Sequence, residues 1–246
     1  MNIMKNQKKD EDQSADREKL LIKAGGRLME DLQKSGCPVC NHMEEVIFDF
    51  LTTWQCALTN DKNVQKEYAA ELGFCPAHTW QLATVSSVRG ISRGCSKLLE
   101  HLAEELTKLI DSSENATKKI AEFIKDPESC RACRLLRDTE ETYTRHLAAF
   151  LEQEEGRIAY ADSHGVCLRH LSSLVSFLTF REVIDGLLFE TARHLKDTAE
   201  NMRRYVLKHE ARERHLLNRD ERYAYLRALV NLAGARNVCA PHIGRI

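Results

Sequence analysis

The sequence predicts an all-α protein: a tandem duplication of a three-helix metal-binding unit with long helices, followed by a C-terminal helical extension. Three observations carry this reading. The chain has 246 residues and only four prolines, at Pro38, Pro76, Pro127 and Pro241. Pro38 and Pro76 lie inside cysteine motifs and Pro127 lies just before one, so nothing between these points breaks a helix by proline chemistry. The intervening stretches are rich in Leu, Ala, Glu, Lys and Arg, which are good helix formers. Their apolar residues also recur at spacings of three and four: Met43, Ile47, Phe50, Leu51, Trp54 and Leu58, then Leu98, Leu102, Leu106 and Leu109, then Leu171, Leu174 and Leu178. Such one-sided stripes belong to amphipathic helices, and the alternation of strands is missing.

The elements follow in order. Residues 1–17 form a polar N-terminal tail without the apolar stretch of a secretory signal. The first unit, 18–111, begins with a lead-in helix ending in LMEDLQKSGC. Cys-Pro-Val-Cys at Cys37–Cys40 opens a second helix, and a short connection leads to Cys-Pro-Ala-His at Cys75–His78. That motif opens a third helix of roughly 35 residues, which would run about 50 Å at 1.5 Å per residue, with Gly90 and Gly94 as places to bend. The polar linker DSSENATK leads to the second unit, 117–205. There IAEFIKDPESC replaces the first lead-in, Cys130–Cys133 reads CRAC, and Cys167–His170 reads CLRH. Gly186 sits at the same offset from Cys167 as Gly94 does from Cys75. Residues 206–246 form a basic helical extension and tail.

The repeated motifs point to metal. Zinc takes four thiolate or imidazole ligands in a tetrahedron, and two cysteines separated by two residues can curl onto one ion. A second pair closes the shell. The spacers from the Cys-x-x-Cys to the Cys-x-x-His are 34 and 33 residues. This near-identity pairs each Cys-x-x-Cys with the motif that follows it. One predicted Cys3His set is Cys37, Cys40, Cys75 and His78; the other is Cys130, Cys133, Cys167 and His170. The cofactor read from these sets is zinc, two per chain, with an iron–sulfur cluster as the alternative. Gly73 and Gly165 supply the tight turn ahead of each Cys-x-x-His. Pro76 suits a first helical turn, where its missing N–H costs nothing. A helix N-terminus also favours thiolate over thiol. Cys239 and His242 form a third Cys-x-x-His without a partner pair. They read as a tail end, as additional metal ligands shared between chains, or as a cap on one of the two sites.

The paired pattern resembles an uncharacterised prokaryotic family, catalogued as a domain of unknown function, in which CPxC is followed by GFCxxH. The resemblance rests on Gly36–Cys40, Gly73–His78, Cys130–Cys133 and Gly165–His170, and covers roughly residues 18–205. Val166 replaces the usual Phe and CRAC lacks the proline, and neither change touches a ligand. The resemblance implies the metal pattern and supplies no reaction.

Other chemistry-bearing residues read as structural. His42 is read as lying beside a ligand set or on the surface. Cys56 and Cys95 fall on helix stripes as small buried apolar residues. His101 and His194 read as core or surface histidines, and Trp54 and Trp80 as core anchors. The catalytic motifs of zinc proteases, helical di-iron proteins, phosphate loops and nucleophile elbows are all missing from the sequence, and thioredoxin-like chemistry would need strands beside Cys-x-x-Cys. No catalytic residue is assigned. The function expected is therefore a non-enzymatic metal-binding helical protein acting through contacts with a protein partner, whose identity the sequence does not give, with an iron–sulfur protein for electron transfer or redox sensing as the alternative; a homo-oligomer is left open.

Charge and hydropathy set the remaining expectations. No apolar run reaches the length of a membrane span, so the expected location is the cytoplasm, where thiols stay reduced. Net charge is −1, divided into −7 over residues 1–200 and +6 over 201–246. Acidic residues interrupt the basic ones, so a solvated basic helix is favoured over a nucleic-acid contact, in which Tyr205, Tyr223 and Tyr225 would stack.

Overall fold

The computed structural model describes residues 26–110 and 115–236. Among the described residues all regular elements are helical. Helix α1 covers 26–33, α2 Pro38–Asn60, α3 Lys62–Ala70, α4 Pro76–Val85 and α5 Val88–Ile110. Then follow α6 Ala116–Phe123, α7 Arg131–Leu151, α8 Glu154–Ala161, α9 Leu168–Phe177, α10 Arg181–Glu210, a 3-10 turn at Arg214–Leu216, and α11 Arg219–Ala233. The order from α2 to α5 recurs from α7 to α10, in each case a long helix, two short ones and a long one.

Local sequence explains the boundaries. Asp61 ends α2 and caps α3, its side chain accepting from the Asn63 amide at 2.7 Å. Asn115 caps α6 in the same way through the Lys118 amide. Each cap satisfies one of the amides a helix start leaves without a partner. The predicted short connection therefore contains a helix of its own in each half, α3 in one and α8 in the other. The long third helix is also corrected. It breaks at Ser86, which is extended (φ −101°, ψ 147°), because the Ser87 hydroxyl accepts from the Gly90 amide at 3.1 Å and starts α5 afresh. The corresponding long helix expected after Cys167 breaks between α9 and α10. Gly90 and Gly94 sit inside α5 and let it approach α2: a Cβ would stand 2.9 Å from Thr59 Oγ1 at the first and 3.2 Å from Leu58 Cδ1 at the second.

Two compact units form, and they cut across the sequence units 18–111 and 117–205. Of the described residues, one unit joins 26–42 with Glu141–Arg236, and the other holds 43–110 and 115–140. The first draws its core from Leu28, Leu32, Leu147, Leu151, Tyr160, Leu174 and Leu187. Within it, Tyr143 donates to the buried Asp31 at 2.9 Å and stacks on His42 at 4.5 Å. The second unit draws its core from Met43, Ile47, Leu51, Leu58, Tyr68 and Leu82. Beside that core Trp54 is half-buried, among Phe50, Tyr68 and Phe74, with the Arg131 guanidinium 5.3 Å over its ring. Trp80, expected as an anchor, is 76% exposed. Cys56, expected to be buried, is exposed and Cys95 half-buried. On α4 and α2 the apolar stripe faces elsewhere than Trp80 and Cys56.

Helix α10 runs straight through the expected boundary at 205, and α11 folds back on α10 and α9. Asn218 and Glu221 form a reciprocal capping box at the start of α11. The Glu221 carboxylate is buried and accepts from Lys208 Nζ at 2.7 and 2.8 Å. Lys208 holds that carboxyl below its ordinary range. Its contribution to stability is therefore fully present above pH 4.5 and lost as pH falls through the depressed value. Protection of α11 amides, relative to their intrinsic exchange rates, should fall on acidification in the native protein, and the Glu221→Gln variant should lack that dependence; identical pH profiles of protection would count against the pair.

Candidate metal centres

All eight predicted ligands lie in the first turn of a helix or one residue before it. Cys37 and Cys130 directly precede α2 and α7, with Cys40 and Cys133 inside their first turns. Cys75 and Cys167 are the N-caps of α4 and α9, with backbones of φ −60°, ψ 161° and φ −70°, ψ 160°. Pro76 occupies the first helical turn of α4, as expected. Gly73 and Gly165 take φ +69° and +70°, the left-handed turn that the sequence reserved for glycine. At Gly165 a Cβ would also lie 2.9 Å from His194 Nδ1. Gly165→Ala should cost about 1–3 kcal/mol from backbone strain and displaced histidine; a denaturation midpoint equal to the parent's would contradict this.

The ligands converge in two groups, but not with the pairing the spacers suggested. Cys37, Cys40, Cys167 and His170 form site 1, in the first unit; Cys75, His78, Cys130 and Cys133 form site 2, in the second. Each Cys-x-x-Cys thus meets the Cys-x-x-His of the other half. The same eight residues converge, but each Cys-x-x-Cys has a different partner from the one the spacers suggested. The physical reason is that α2 and α9 present their N-termini to one point, and α7 and α4 to another.

The geometry of each group could hold a single ion. In site 1, His170 Nδ1 lies 3.3, 3.4 and 3.2 Å from the sulfurs of Cys37, Cys40 and Cys167, and Cys40 Sγ lies 4.0 Å from Cys167 Sγ. In site 2, His78 Nδ1 lies 3.2, 3.3 and 3.8 Å from Cys75, Cys133 and Cys130, and Cys75 Sγ lies 3.7 Å from Cys133 Sγ. A zinc tetrahedron with Zn–S of 2.3 Å and Zn–N of about 2.05 Å has edges of roughly 3.8 Å between sulfurs and 3.6 Å from sulfur to nitrogen. Both donor sets fit that tetrahedron. The sulfur separations exclude disulfide bonds, whose S–S length is about 2.05 Å.

The surroundings favour thiolate at Cys130 and Cys167, while hydrogen bonds to Cys130 and Cys75, with burial, push the Cys133 thiol up. Every ligand is buried, Cys133 being the most exposed at 6%. The Cys75 amide donates to Cys130 Sγ, and the Ala235 amide donates to Cys40 Sγ, each at 3.4 Å. Hydrogen bonds from Cys133 and Cys75 hold the Cys130 thiol far below its usual range, and those from Cys37 and Cys40 do the same for Cys167. At His78, burial opposes the charge, but the Cys130 and Cys75 sulfurs outweigh it and raise the pKa to about 9. Below that pH an entering ion must displace a proton from His78, so metal affinity at site 2 should rise with pH. Among the described residues His78 Nε2 has no hydrogen-bond partner, though buried, and Nδ1 is the nitrogen that faces the sulfurs.

The remaining candidates stay apart from the sites. Cys56 and Cys95 belong to neither group, and the structural reading of His101 and His194 stands in that both are half-buried outside them. Cys239 and His242 lie outside the described residues. Among those described, no helix is long and apolar enough to cross a membrane.

Residues 33–181 match the family described as Family of unknown function (DUF6062), a stretch that contains all eight ligands. Neither a curated protein nor a solved structure matches the chain significantly.

Proposed function

The chain belongs to that family, and from its two centres we propose that it is a non-enzymatic, zinc-stabilised helical protein that acts through protein contacts. The observation that carries this reading is two closed Cys3His shells whose eight ligands are all buried. A catalytic zinc keeps one coordination position open to water or substrate, whereas a structural zinc has four protein ligands. Zinc is favoured over an iron–sulfur cluster because the ligand atoms of each site lie within 4.8 Å of one another. A cluster spreads its thiolates over several irons, while these donors surround one point. The recurring helix order and the matched turns at Gly73 and Gly165 support a tandem duplication as the origin of the two sites.

Contacts with a partner are supported by exposed apolar residues, on α5 Leu99, Leu106 and Ile110, and on α11 Tyr225, Leu229 and Leu232. A nucleic-acid role is less favoured, because several basic side chains of the C-terminal region are already engaged. Lys208 pairs with Glu221, Arg203 and Arg204 with Glu200, and Arg227 with Asp220.

Elemental analysis of protein purified anaerobically without added metal tests the proposal. The expected result is about two zinc per chain in a colourless protein. Iron with inorganic sulfide and absorbance near 400 nm would replace zinc by a cluster, and salt-dependent binding to random DNA or RNA would argue for the nucleic-acid reading.

A further inference from the structure

The two halves differ at one matched pair of positions. Leu58 and Leu151 stand at the same offset from Cys37 and Cys130, as do Gly94 and Gly186 from Cys75 and Cys167. In the first half Leu58 packs directly on Gly94, and α3 lies along α5. In the second half α8 meets α10 at only a few positions, and a Cβ at Gly186 would find no atom within 4 Å. Leu151 and Gly186 instead line a cavity of about 410 Å³, together with Tyr160, Val183, Leu187 and Phe189. Glycine inside a helix is destabilising relative to alanine. At Gly94 close packing explains that cost. At Gly186 no packing requires it, and what the missing side chain leaves is an open cavity wall.

The cavity has one chemical direction. Its walls are aliphatic or aromatic, and the Tyr160 hydroxyl is turned away onto Thr191 at 3.0 Å. Three charged residues edge it: Arg157, Asp185 and Glu190. Asp185 is engaged by Arg181 and Glu190 by Arg193. Arg157 gives one N–H to the Glu152 carbonyl at 2.9 Å and has no acidic partner among the described residues. A guanidinium offers five donors and matches a carboxylate in a two-point bond. Pockets of this size and apolar character take small ligands oriented by a few polar groups.

We propose that the cavity between α8 and α10 binds a small apolar carboxylate, its hydrocarbon body against Leu151, Val183, Leu187 and Phe189 and its carboxylate on Arg157. The site is separate from both metal centres and does not depend on which metal they hold. Calorimetric titration of the metal-loaded full chain with octanoate tests it, with 1-octanol and octylamine as probes lacking the carboxylate. Octanoate should bind the parent at a single site, and octylamine should not. Gly186→Leu, which fills the cavity, should weaken octanoate at least tenfold while keeping full helicity and metal content. Arg157→Gln should weaken octanoate by roughly tenfold, as expected for a charge-assisted pair, and leave octanol unchanged. Octanoate that fails to bind the parent at millimolar concentration overturns the proposal, as does equal binding to Gly186→Leu. Equal binding of octanoate to Arg157→Gln overturns the assignment of the carboxylate.

Discussion

The double variant Cys37→Ser/Cys167→Ser is expected to retain one metal ion per chain, whereas Cys37→Ser/Cys75→Ser retains none. In the first variant both lost ligands belong to site 1, so site 2 keeps Cys75, His78, Cys130 and Cys133 intact. In the second, each site loses one of its three thiolates, and dialysis against a weak chelator should strip both. Pairing of each Cys-x-x-Cys with the motif that follows it gives the opposite outcome, with one ion retained by Cys37→Ser/Cys75→Ser and none by Cys37→Ser/Cys167→Ser. Native mass spectrometry reads the stoichiometry directly, and that reversed pattern would overturn the crossed arrangement. The magnitudes show why crossing is affordable. Site 2 closes a loop of 51 residues, 79–129, and site 1 a loop of 126, 41–166, where sequential pairing would close 34 and 33. Loop closure grows as (3/2)RT ln n, so crossing costs only about 1.5 kcal/mol in total. Burial of a few additional large apolar side chains outweighs that, at about 1.5–3 kcal/mol each.

Stripping the metal is expected to lower the thermal midpoint by more than about 10 °C and to reduce the helical signal without abolishing it. Zinc contributes on the order of 10 kcal/mol to the folding of small peptides, and about 1 kcal/mol shifts the midpoint of a domain of 150–250 residues by about 2–4 °C. Each unit also has an apolar core independent of its site, so the loss should fall short of global unfolding. Cys167→Ser should loosen the first unit, around the N-terminal turns of α2 and α9. Cys75→Ser should loosen the second, around those of α4 and α7. Hydrogen exchange resolves the two, and circular dichroism follows the whole. A midpoint and a helical signal unchanged by chelation and by both substitutions would remove the structural role from the metals.

Much of the protein was legible in residue order because the deciding physics is local. A glycine two residues before a helix-capping cysteine signals a left-handed turn, and Gly73 and Gly165 both adopt one. Cys-x-x-Cys and Cys-x-x-His at helix starts place two ligands each on one side of a first turn, so the eight ligands could be named. Local signals also existed for what was missed. Asp61 ahead of a new helical stretch marks α3, and the Ser86–Ser87 pair marks the break before α5. Three outcomes belonged to the tertiary structure alone: which motif meets which, which face Trp80 and Cys56 present, and whether Gly186 is packed or open. Motif pairing depends on which helix N-termini packing brings together, and the spacers differ by too little loop entropy to choose. An apolar side chain on a helix is buried only where another element covers it, and residue order does not say where that cover lies. Gly94 and Gly186 share an offset in the sequence, and only the distance between packed helices makes one a close contact and the other a cavity wall.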